Sequence, residues 1–108
     1  MPVKTLSVTT SNSVGVVSYS WAYAQTYGGT PPTGTYSLTN ASTASATFNY
    51  PAGLTYGGTT QGSNTIGYTF TCTASDAGVA GCSNSTQTVL YFYPTPTCTI
   101  TLSGVGIS

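Results

Sequence analysis

The run Thr65-Ile66-Gly67-Tyr68-Thr69-Phe70-Thr71-Cys72-Thr73-Ala74-Ser75 puts Tyr68, Phe70, Cys72 and Ala74 at every second position, with Thr69, Thr71 and Thr73 between them. Successive side chains of a strand point to opposite faces, so this alternation predicts a strand over 65–75. One face enters a core; the threonine face meets solvent or a polar partner. The same period recurs in both directions along the chain. It predicts further strands near Lys4–Thr10, Val16–Gln25, Thr35–Leu38, Ser45–Tyr50, Thr86–Tyr93 and Cys98–Ser103. Gly, Pro and Asn clusters place turns at Ser11–Ser13, Tyr27–Gly34, Thr39–Thr43, Pro51–Asn64, Asp76–Gly81 and Pro94–Thr97. No apolar stripe repeats at helical spacing. Some seven short strands at this spacing predict an all-β chain, a two-sheet antiparallel sandwich. Leu6, Val8, Tyr19, Trp21, Tyr23, Ala46 and Phe48 are expected to join Tyr68, Phe70, Cys72 and Ala74 in its core.

Charge narrows the chemistry. The 108 residues hold one cation, Lys4, and one anion, Asp76, with no His, so charged residues make up 2% of the chain against roughly 25% in an ordinary globular domain. General acid–base catalysis recruits His, Glu, Asp or Lys, and a nucleophilic triad needs a base beside its Ser or Cys. No such pair can be assembled here, so no catalytic residue and no enzyme activity is expected. One lysine cannot neutralise a phosphate backbone, which argues against nucleic acid. Three scattered thiols and one carboxylate make a poor ligand set, so no metal or other cofactor is expected. Thr and Ser together supply 37 residues. Such a composition would suggest disorder, but 39% hydrophobic and 12% aromatic content gives enough apolar mass for a core. No apolar run approaches the roughly 20 residues of a membrane span, and Met1-Pro2-Val3-Lys4 has no hydrophobic signal core.

Ser18-Tyr19-Ser20-Trp21, then Ala44-Ser45-Ala46-Thr47-Phe48, then Tyr68 through Gly78 resemble an immunoglobulin-like domain of the PKD or bacterial and phage Ig-like type, over about residues 4 to 93. The resemblance implies a central Trp, at Trp21, and a strand of the form Tyr-x-apolar-x-apolar-x-apolar-x-Asp before a Gly turn, at Tyr68, Phe70, Cys72, Ala74, Asp76 and Gly78. It also implies a binding or spacer module of surface proteins or virions. One departure stands out. Such domains begin with a strand ahead of the one resembling Lys4–Thr10, yet only three residues precede it here. A surplus strand-like run, Cys98-Thr99-Ile100-Thr101-Leu102-Ser103, sits instead after Pro94-Thr95-Pro96. The chain therefore divides into a sandwich over 1–93 and a C-terminal strand or arm over 94–108. That arm either folds back onto its own sandwich, docks on a larger shell, or adds to the open edge of a neighbouring subunit.

Near-zero net charge and sheet edges without guarding charges favour packing against other protein surfaces. The expected interface comprises Cys98, Ile100, Leu102 and Val105 of the arm, with Tyr27, Tyr36 and Tyr56 beside Gly-rich loops. Cys72 and Cys82 flank the Asp76–Gly81 turn and are candidates for a disulfide closing that hairpin; the alternative is a buried apolar Cys72 beneath Trp21. Asp76 is expected to cap its turn and Lys4 to be a solvated edge charge. Asn40-Ala41-Ser42 and Asn84-Ser85-Thr86 match the glycosylation triplet, a match such a Ser/Thr-rich chain produces by chance. Together these readings predict a non-enzymatic structural protein whose partners are capsid proteins or identical subunits. A virion component is the first expectation, such as a capsid decoration or fibre protein of a bacteriophage, since the chain starts at Met1 without a signal. A subunit of an extracellular filament or adhesin assembled by strand exchange is the second. A carbohydrate-binding module, using Trp21 or the loop tyrosines as a platform for a surface glycan, is the third.

Overall fold

The computed structural model describes residues 1–95, 100 and 102–106. Among them are seven strands and no helix: β1 (Val3–Ser7), β2 (Val17–Tyr27), β3 (Ser37–Thr39), β4 (Ser45–Asn49), β5 (Leu54–Gly58), β6 (Ile66–Asp76) and β7 (Ser83–Pro94). They form two antiparallel sheets, β1-β4-β3 and β2-β6-β7-β5. The expected all-β, two-sheet sandwich is the fold of the chain.

The wide sheet is built on β6. Tyr68, Phe70 and Cys72 alternate into the core, and Trp21 lies opposite Cys72 on β2 while Leu90 lies opposite Tyr68 on β7. The narrow sheet contributes Leu6, Ala46 and Phe48. Phe48 joins the layers: it is fully buried, with ring centroids 5.1 Å from Tyr23, 4.9 Å from Phe70 and 5.8 Å from Phe92. Edge-on and tilted aromatic pairs at these separations add about 0.5–1.5 kcal/mol each beyond simple burial. Tyr50, Leu54, Ile66, Leu90 and Phe92 also belong to the core and were not among the residues expected there. Val8, Tyr19 and Tyr23 pack against it half-buried, and Ala74 is half-buried near the end of β6, where the narrow sheet no longer covers it.

Two assignments need correction. The stretch 51–64, expected as one long turn, contains β5, which pairs with β7 from Leu54↔Pro94 to Gly58↔Tyr91. Its alternation, Leu54 and Tyr56 inward, is compressed between Gly53 and Gly57-Gly58 and reads as loop. A Cβ at Gly57 would run into the ring of Tyr93, so a larger residue there must displace that ring or the strand. The hairpin of β6 and β7 begins at Ser75↔Ser83, so Thr86, and not Cys82, stands opposite Cys72. Cys82 lies four residues from that position, about 13 Å along the strand, beyond the roughly 7 Å Cα separation a disulfide tolerates. Both cysteines are free, Cys72 buried and Cys82 exposed. The buried apolar reading of Cys72 is the one that holds.

Candidate functional site

The backbone register of β1 decides what its outer side offers. The Val8 amide donates to the Ala44 carbonyl at 2.9 Å and the Tyr50 amide to the Pro2 carbonyl at 3.2 Å. In an antiparallel ladder the bonded pairs alternate, so Lys4, Leu6 and Val8 bond β4. Thr5 and Ser7 turn their N–H and C=O groups to the open side, because β1 is the outer strand of its sheet. β7 has a matching open side. β5 covers its outer edge only over Tyr91–Pro94, leaving Ser83–Leu90 unpaired there among the described residues.

Between these two edges runs a groove of about 310 Å³, walled by Lys4–Val8 and by Thr86–Thr88 and floored by Leu6, Trp21, Phe70 and Leu90. Thr86 and Thr88 share the inward face of Leu90 and Phe92 by alternation, yet both are exposed. The narrow sheet, with β1 as its outer strand, does not cover them. Direction along the groove is fixed by its ends. The Lys4 ammonium sits 4.1 Å from the ring centroid of Tyr56, itself opposite Phe92, while Val8 lies with Asn84–Thr86. β1 and β7 therefore run antiparallel across the groove.

The residues expected at contacts divide. Tyr27 is exposed, its ring edge-on to Tyr91 at 6.1 Å, at the mouth of a second hollow of about 870 Å³ shared with Ile66 and Tyr93. Tyr36 and Tyr56 are not free surface residues; both are half-buried against the core. The Tyr36 hydroxyl donates to the Pro32 carbonyl at 2.7 Å, and Tyr56 packs edge-on to Phe92 at 5.6 Å beneath Lys4. Trp21 is 7% exposed and donates its indole N–H to the Thr43 carbonyl at 2.8 Å, so it offers no stacking platform. In the arm, Ile100, Leu102 and Val105 are 78%, 92% and 98% exposed. The expected strand over Cys98–Ser103 is not formed at its described residues, Ile100, Leu102 and Ser103; Cys98 lies outside the described residues.

The anion and the titratable groups beside the core are held by hydrogen bonds and by burial. Asp76 accepts three backbone N–H bonds, from Val14 at 2.7 Å and from Gly15 and Gly78 at 2.8 Å. These bonds hold its carboxyl below the ordinary range. It caps its turn, as expected, and also ties that turn to the loop after β1. Gly15 and Gly78 touch there, since a Cβ on Gly15 would come within 2.5 Å of the Gly78 nitrogen. Burial raises the Cys72 thiol, keeping it protonated. Burial, with Tyr36 and Tyr23 alongside, raises the Tyr68 phenol. Among the described residues no three His, Cys, Asp or Glu side chains gather. What the groove does present is backbone hydrogen-bonding capacity above an apolar floor, which suits an extended polypeptide.

No family model, curated protein or solved structure matches the chain at a significant level.

Proposed function

We propose that this chain is a non-enzymatic structural protein that works by packing against other protein subunits, as a component of a virion such as a capsid decoration or fibre protein of a bacteriophage. The observation that carries the reading is the groove between two unpaired sheet edges, with Thr86 and Thr88 left uncovered on the core face of β7. Sheet edges attract other strands unless charge, proline or covering elements blunt them, and here the one nearby charge, Lys4, is folded over Tyr56. A neutral coat of hydroxyls supports the same reading, because apposed copies would desolvate almost no charge. The Ig-like resemblance adds that modules of this kind stand on surfaces and particles.

A subunit of an extracellular filament is the second reading, favoured by the exposed apolar residues of the arm. The glycan-binding reading loses its strongest aromatic, since Trp21 is buried. The test is immunogold electron microscopy of particles and filaments purified from the native source. Gold at regular positions on a shell or tail fibre is the expected result; gold along threads on a cell envelope would move the assignment to the filament. A protein recovered only as a dispersed species outside any assembly would overturn both.

A further inference from the structure

We infer that the open groove receives the C-terminal arm of a second copy of this chain, which completes the narrow sheet as a fourth strand beside β1. This rests on the reading of the chain as a structural subunit and names the partner at its groove.

Three observations select this occupant. The sequence of the arm alternates Cys98, Ile100 and Leu102 with Thr99, Thr101 and Ser103, the period-two pattern of a strand with one apolar face. Its described residues are exposed and form no strand in their own chain. Lengths agree as well: the wall Lys4–Val8 has the same five residues as the apolar register 98–102, about 17 Å at strand rise.

The exit of the arm separates a neighbour's groove from its own. A direct return along β7 would need the outer edge of Tyr91–Pro94, which β5 occupies. The first residue past β7 is fastened on that side: the Thr95 amide donates to the Gly53 carbonyl at 2.7 Å and its hydroxyl to the Ala52 carbonyl at 2.9 Å. Thr95 thus continues the line of β7, and in the proposed contact the arm leaves the sandwich along that line. An arm pairing antiparallel with β1, the stronger of the two pairings, runs parallel to the acceptor's β7. Donor and acceptor then point the same way, so the contact is head-to-tail and propagates. Thr5 and Ser7 supply the backbone partners, and Ile100 and Leu102 cover Thr86, Thr88 and Leu90.

The test uses two full-length variants. I100D/L102D spoils the arm at two positions that are exposed in the lone chain; Thr5→Pro removes an outward N–H from β1 while sparing the bonds to β4. Sedimentation velocity and negative-stain microscopy follow the wild type, each variant and their equimolar mixture, with circular dichroism checking the fold. Expected are concentration-dependent threads from the wild type, monomers from each variant alone, and a 1:1 heterodimer on mixing, formed by the intact Thr5→Pro arm in the intact I100D/L102D groove. Threads from I100D/L102D as abundant as those of the wild type overturn strand donation yet leave a structural subunit assembling through another face. A wild type that stays monomeric at every concentration also overturns the inference, and the proposed function is then judged by the immunogold result alone. Should Thr5→Pro fail to fold, the comparison of wild type with I100D/L102D decides.

Discussion

At the scale of single residues, the two ionised side chains have opposite settings. Lys4 rests on an aromatic face at one end of the groove, and Asp76 is enclosed by amides at the other end of the sandwich. Because the folded carboxyl is held below its ordinary value of 3.8, its contribution is complete above that value and is lost as pH falls through the lowered one. Thermal melts are expected to hold level from pH 8 to about pH 5 and decline only in strong acid. In Asp76→Asn the melting temperature drops at neutral pH and the acid decline flattens; an unchanged acid limb would remove Asp76 as its source. Phe48 was legible from the alternation around it, and its role is purely steric. Phe48→Ala is expected to cost about 3–5 kcal/mol, read from urea unfolding. The thiols sort by burial: mass-mapped labelling of native protein should modify Cys82 at once and Cys72 only after denaturant is added, since burial raises one thiol and the other is exposed.

Among the elements, legibility followed uninterrupted alternation. β2 and β6 have eleven residues each, enough for several periods of alternation, and their positions and core faces are readable in the sequence. β5 was not. Its five residues end in two glycines, and glycine reads as turn unless one knows that the Tyr93 ring occupies the space where a side chain would be. Gly57→Ala is therefore expected to push β5 away from β7 at a cost of about 1–3 kcal/mol, visible as a lower urea midpoint with an unchanged slope; a neutral result would mean that β5 yields without strain. The cysteine pairing failed for a related reason. Spacing in sequence places two residues near one hairpin, but only the register, here Cys72 opposite Thr86, says whether they meet. The groove lay beyond a linear reading because it arises from sheet order: β1 ends up outermost, and β5 covers only the last four of the twelve residues of β7. The alternating run from Cys98 to Ser103 was the trace of it that the sequence carried.

For the molecule as a whole, stability comes from aromatic packing and hydrogen bonds between neutral groups, with the Asp76 carboxylate as the charged exception. With its single cation and single anion at opposite ends, screening has no ion pair between them to weaken. The melting temperature is expected to be unchanged between about 0.05 and 0.5 M sodium chloride and to rise in sulfate, which strengthens apolar burial; a marked fall with sodium chloride would expose an electrostatic contribution not accounted for here. The composition has a further effect outside thermodynamics. A protease that cuts after Lys or Arg finds one such residue in the whole chain, Lys4, and its bond to Thr5 lies inside a paired strand, with the side chain laid across Tyr56. Digestive enzymes of that specificity would leave the folded chain whole, and a tryptic digest after unfolding would release residues 5–108 as one large fragment.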